Sequence, residues 1–227
     1  MQALAIEAVR LVDLGAGSWL DLCRGWLPGA GDLYSELASA VAWRQGRVFR
    51  YERWIPEPRL SAGVVDVPGP AAAVLVEARR RLIQRYGVPL GRGGMAYYRD
   101  GRDSMAFHRD RDLRHLDDTV VAILTLGGPR PFALRPYAFA FAGGDVEDGG
   151  NRAGAGAGGG TPVQTVSPGP GDLLVMGGRC QADWQHSVPK QYRLDVPGRI
   201  SVQWRWTSGR GRPVVGPSYR APRTYRA

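Results

Sequence analysis

Apolar residues recur along this chain at two spacings, and the change falls near Met95. Before it, Leu33, Leu37 and Val41 stand at helical intervals and predict a helix from Asp32 to Val41. Val74, Leu75, Ala78, Leu82 and Ile83 draw a second stripe, with Arg79, Arg80, Arg81 and Arg85 around it. Pro70 at its first turn and Gly87 past its end are the expected punctuation of a helix. Between the two, VFRYERWIPEPRL (48–60) is basic, aromatic and broken by prolines, which fits a strand and loop. After Met95 the runs shorten. TVVAILTL (119–126), PFALRP (131–136), DLLVM (172–176) and RISVQWRW (199–206) are β-branched or aromatic and separated by Gly/Pro turns, so they predict strands.

Helices first and short strands after predict an α+β chain with a β-sandwich or jelly-roll core and the helices on one side. One stretch stands apart. GGDVEDGGNRAGAGAGGG (143–160) has too little apolar surface to order itself, and strand-like sequence resumes on both sides. It is read as a flexible loop inside one domain spanning 28–207. Residues 1–27 are read as an N-terminal extension and 208–227 as a basic, mobile tail.

Composition narrows the setting. No run approaches the length of a membrane span, and MQALAIEAVRLVDLG lacks the basic start and long apolar run of a secretory signal. Cys23 and Cys180 have no metal-binding or redox spacing and fit unpaired thiols of a reducing, cytoplasmic setting. The formal net charge is +9, and Lys190 is the one lysine. Such a surface favours phosphate backbones, although GC-rich coding bias would give the same arginine content.

The candidate chemistry rests on few residues. His108 and Asp110 stand two apart in FHRDRD, where a strand would point them, and Asp112, the same way. His186, in DWQHSVPK, is the candidate third ligand. Two histidines and one carboxylate form the facial triad of non-haem Fe(II) oxygenases, which leaves positions open for cosubstrate and oxygen. His115, among Arg114, Asp117 and Asp118, reads as an exposed histidine. In RISVQWRW, Arg199, Ser201, Gln203 and Arg205 share one strand face. Buried arginines there need an anion, and a dicarboxylate such as 2-oxoglutarate matches their planar fork. Tyr98, just upstream of the His-x-Asp pair, has a hydroxyl that can join a bound carboxylate.

Order and spacing say more than the parts. Ala96-Tyr97-Tyr98-Arg99-Asp100-Gly101, six residues, His108-Arg109-Asp110, then His186, then Arg199 through Arg205 resembles the AlkB family pattern. That pattern reads Asn-x-Tyr-x-x-Gly, six residues, His-x-Asp, a distant His and Arg-x-x-x-x-x-Arg. YRDGRDSMAFHRD, DTVVAILTLGGPRPFALRP and GDLLVMGGRCQADWQHSVPK are similar to the nucleic-acid-repair branch of the family, and EPRLSAG is similar to its nucleotide lid. The resemblance implies a double-stranded β-helix (jelly roll). It implies Fe(II) on His108, Asp110 and His186, and 2-oxoglutarate held by Tyr98, Arg199, Ser201 and Arg205, with O2 as co-reactant. It also implies substrate contacts from Asp112 and Phe107. Ala96 and Ser201 stand where the family often places asparagines that help to hold 2-oxoglutarate. Gly63 and Val64 stand where close relatives carry aromatic residues.

The implied activity is oxidative demethylation of N-alkylated bases such as 1-methyladenine and 3-methylcytosine in DNA repair. A base inside a duplex cannot reach such a pocket, so the expected partner is single-stranded or flipped-out nucleic acid. Tyr51, Trp54 and Arg59 lie in the aromatic, basic stretch suited to stacking and backbone contact. A monomer is expected. The competing readings are the same chemistry on RNA, protein or a small metabolite, and a catalytically weak nucleic-acid-binding module.

Overall fold

The computed structural model describes residues 9–50, 52–137, 163–193 and 195–211. Its frame is an eight-stranded sheet in the order β1-β2-β10-β7-β12-β5-β4-β3, facing a four-stranded sheet in the order β6-β11-β8-β9. The strands of the large sheet are β1 (Val9–Gly15), β2 (Ser18–Cys23), β3 (Arg44–Arg50), β4 (Arg53–Gly63), β5 (Gly94–Tyr98), β7 (Thr119–Gly127), β10 (Leu173–Gly178) and β12 (Arg199–Thr207). The small sheet holds β6 (Met105–His108), β8 (Phe132–Pro136), β9 (Gln164–Val166) and β11 (Trp184–Val188). Every strand pairing is antiparallel. Two facing antiparallel sheets form the expected jelly roll.

Helices α1 (Ala30–Ala40) and α2 (Gly69–Tyr86) precede most of the strands and pack on the outer face of the large sheet. A short helix α3 (Cys180–Asp183) leads into β11. The expected boundaries hold to within two residues for α1 and one for the start of α2. Gly87 closes α2 with φ 66°, a left-handed conformation that glycine adopts at no steric cost.

Strand β7 shows how one run serves two cores. Ala122, Leu124 and Leu126 face the helices, packing with Leu37, Leu75, Leu82, Val202 and Trp204. Val121 and Ile123 face the small sheet, packing with Leu134, Leu174 and Trp184. A strand buried on both faces reads as a continuous apolar run, as TVVAILTL does.

Two features differ from the sequence reading. Residues 9–23, set apart there within an extension, form β1 and β2, and β2 pairs with β10 along its length. Their apolar residues are interrupted by Arg10, Asp13, Asp21 and the Gly15-Ala16-Gly17 turn, so no long continuous run marks them. The stretch 48–60 contributes to two paired strands, β3 and β4, rather than a strand and loop. The Gly-rich 143–160 segment and nearly all of the 208–227 tail lie outside the described residues. Among the described residues no helix is long and apolar enough to cross a membrane.

Candidate metal and anion site

A cavity of about 510 Å³ opens between the two sheets. Its small-sheet wall carries the histidines. His108 ends β6 and His186 lies directly opposite it on β11, with ring centroids 4.2 Å apart. Asp110 follows in the turn after β6, its Oδ1 3.6 Å from His108 Nε2 and 3.9 Å from His186 Nε2. One ligand atom from each of the three lies within 4.8 Å of the others.

The protonation states suit a metal. His108 Nδ1 lies 2.9 Å from the carbonyl of Ala106, which can only accept, so Nδ1 carries the proton and Nε2 keeps a lone pair. Burial, with His108 beside it, pushes His186 down to about 3, so its imidazole is neutral at pH 7. Burial alone would raise the Asp110 carboxyl, but the His108 imidazole and the Arg205 guanidinium beside it outweigh burial and hold Asp110 well below the usual carboxylate range.

Surrounding groups fix these three. Arg205 Nε donates to Asp110 Oδ2 at 2.6 Å, and Arg205 Nη2 donates to Gln203 Oε1 at 2.5 Å. The backbone N–H of Asp110 donates to the buried Gln181 Oε1 at 2.9 Å. Phe132 stacks on His186 at 5.6 Å. Gln181 escaped the sequence reading; its only sequence signal is a polar residue between Cys180 and Ala182, five residues before His186.

The large-sheet wall carries the anion groups. Along β12 the alternation holds: Ile200, Val202 and Trp204 point into the helix-side core, and Arg199, Ser201, Gln203 and Arg205 line the cavity. Arg199 is fully buried and pairs in register with Tyr98 of β5. Its Nη2 donates to Thr125 Oγ1 at 3.2 Å and its Nη1 to the Arg130 carbonyl at 3.4 Å. Its Nε finds no hydrogen-bond partner among the described residues. Burial lowers it to about 10, with Tyr98 acting in the opposite sense. A buried guanidinium held by a hydroxyl and a carbonyl is short of negative charge, and a ligand carboxylate would supply it.

Arg130 is a second fully buried arginine that the sequence reading missed. It donates to the carbonyls of Asp100, Asp103 and Pro189, strapping the loop before β6. Its only sequence signal is a charge between two prolines after an apolar run. The two departures from the family pattern prove to be one feature: Ser201 and Ala96 are cross-strand neighbours in the β12–β5 pair.

The remaining expectations divide. Arg59 lines the cavity. Asp112 does not: β6 ends at His108, the chain curls so that Leu113 and Arg114 donate to the Asp110 carbonyl, and Asp112 is left exposed. Strand alternation therefore stops too early to align Asp112 with the triad. Phe107 points away from the cavity and lies under the Arg135 guanidinium, 4.1 Å from its ring centre. Trp54 is 60% exposed and packs on Phe49 at 5.5 Å, outside the cavity lining. Tyr51 lies outside the described residues. His115 is half-buried in the turn after Asp110, where Arg114 Nε donates to it.

A jelly roll with two histidines and one carboxylate at one wall and a buried, anion-seeking arginine at the other is the architecture of a non-haem iron oxygenase. The profile of the 2OG-Fe(II) oxygenase superfamily matches residues 70–208, and the chain belongs to that superfamily. It is 27% identical over 196 residues to the alpha-ketoglutarate-dependent dioxygenase alkB homolog 3 of Mus musculus, covering 80% of this chain and 63% of the relative. The homolog 3 of Homo sapiens is 26% identical over 196 residues, covering 80% and 63%. The chain thus spans less than two thirds of the length of these relatives. These matches agree with the AlkB-like spacing of the motifs. A prolyl hydroxylase from Trichoplax adhaerens, solved with a hypoxia inducible factor peptide, shares the fold with TM-score 0.50 at 14% identity, covering 83% of each chain. Membership implies Fe(II), 2-oxoglutarate and O2, and the donor set and the partnerless Arg199 Nε fit that group.

Proposed function

We propose that this protein is an Fe(II)- and 2-oxoglutarate-dependent dioxygenase that removes alkyl groups oxidatively from N-alkylated nucleic-acid bases, as in DNA repair. The observation that carries the chemistry is the sharing of one cavity by the His108-Asp110-His186 cluster and the buried, undersupplied Arg199. The resemblance to AlkB homologues carries the substrate class.

His108, Asp110 and His186 would hold the iron through one atom each. Iron with 2-oxoglutarate and O2 supplies the oxidising power that converts an N-methyl group to a hydroxymethyl group, which leaves as formaldehyde. Everything else falls to the chain. Arg199 would pair with the far carboxylate of 2-oxoglutarate, with the Tyr98 side chain and Ser201 beside it on the same wall. Arg205 would keep Asp110 ionised and oriented. The walls of Val121, Ile123, Phe132 and Val188 would keep bulk water from the reacting carbon. The net charge of +9 suits an approaching phosphate backbone.

The test is conversion of 2-oxoglutarate to succinate in the presence of short single strands. An alkylated strand should stimulate succinate release well above an unmodified strand of the same sequence, and rising salt should weaken the stimulation steeply. Equal release with both strands would reject the base as substrate.

A further inference from the structure

We propose that Glu57 selects substrates by charge, contacting bases that N-alkylation has made cationic. The inference rests on the base-dealkylation reading and names the residue that would give it its preference.

The residues lining the cavity include two carboxylates, Asp110 and Glu57. Asp110 is committed to the triad and Arg205. Arg59, Arg109, Arg111, Arg199 and Arg205 also line the cavity. A cationic base entering among these guanidinium groups is repelled unless a carboxylate faces it. Asp112, the acidic residue suggested by the motif, lies outside the lining. Among the described residues that line the cavity, Glu57 is the acidic group left to meet the base.

The fold shapes this position. Glu57 and Arg59 are two apart on β4, and Arg59 Nη2 lies 3.3 Å from Glu57 Oε2. Arg59 Nη1 donates to Met105 Sδ at 2.5 Å, so the arginine is tied to β6 as well. Opposite, the β3–β4 register shifts between Gln45 and Arg47. Gly46 sits at that shift, and a Cβ there would lie 2.9 Å from Glu57 Oε2, so the glycine leaves the carboxylate free to keep this position. Gln45 Nε2 donates to the Glu57 carbonyl at 3.0 Å and fixes the backbone. Glu57 keeps 30% of its side chain exposed and lines the cavity, so its carboxylate is open to a ligand there. Without its charge, Arg59 would face the base uncompensated, which opposes a cation and leaves a neutral base unaffected.

3-Methylcytosine is cationic at neutral pH, whereas 3-methyluracil has a similar shape and no charge. Each is placed once in the same single-stranded oligonucleotide. Demethylation by the iron-loaded enzyme is followed by mass spectrometry, and binding to the metal-free protein by fluorescence anisotropy. Wild type should favour 3-methylcytosine in both assays. Glu57→Gln should lower that preference roughly tenfold, the loss of one charge-assisted contact, with 3-methyluracil unchanged. Glu57→Asp, which keeps the charge, should keep most of the preference, and it stands in if the Gln variant does not fold. An unchanged preference in Glu57→Gln, or equal losses on both oligonucleotides, would overturn the inference. Succinate release without demethylation of either oligonucleotide by wild type would instead reject the base-dealkylation reading, and this inference with it.

Discussion

Arg205 Nε lies 2.6 Å from Asp110 Oδ2, while Asp110 Oδ1 faces both histidines. The arginine thus grips the oxygen that the triad does not use. Groups behind a metal ligand of this kind are worth 10- to 100-fold in metal affinity. Arg205→Ala should weaken Mn(II) binding, measured by anaerobic calorimetry as a stand-in for Fe(II), by roughly 10- to 100-fold. Unchanged affinity would mean that the ion pair plays no part in holding the metal.

Arg199 gives two opposed predictions. It is fully buried with no carboxylate paired to it among the described residues, so it costs stability unless a ligand arrives. Arg199→Met should leave the melting temperature of the metal-free protein equal or higher. The same change should weaken 2-oxoglutarate binding by roughly 10- to 100-fold, the worth of hydrogen bonds to a charged group. A large fall in melting temperature would show that the arginine is structural.

Leu124 is fully buried where β7 meets the helices. Leu124→Ala removes its methyl groups from a packed core and should cost about 2–5 kcal/mol in denaturant unfolding. A cost under about 1 kcal/mol would show that this helix–sheet core is loosely packed.

Burial raises the Cys180 thiol from 9.0 to about 12. The unfolded chain therefore releases this proton first as pH rises. Its contribution is complete below pH 9 and is lost between pH 9 and about 12. In that window wild type should lose stability relative to Cys180→Ala by about 1.4 kcal/mol per pH unit. Parallel stability curves for the two proteins, measured by urea unfolding, would contradict the burial argument.

Much of this was legible in the sequence, for reasons that can be traced. The α2 stripe and the β7 and β12 runs were readable because each is long and periodic or continuously apolar. The triad was readable because histidine is rare here and the spacing of the His-x-Asp pair to the surrounding motifs is specific. What failed was local. The Asp112 expectation assumed that β6 continues past His108, but the turn at Asp110 ends it. Strands β1 and β2 were missed because β2 pairs with β10, a partner far along the chain that no local pattern reveals, and β1 pairs in turn with β2. Gln181 and Arg130 were missed because their roles depend on backbone groups brought close only by folding.

The most direct measurement is mass spectrometry of a single-stranded oligonucleotide carrying one 1-methyladenine. It would be incubated with the protein, Fe(II), ascorbate and 2-oxoglutarate, with His108→Ala in parallel. Loss of one methyl group with wild type, dependent on 2-oxoglutarate and absent in the variant, is the predicted result. Retention of the methyl group by wild type, or its loss with His108→Ala at the same rate, would contradict the account.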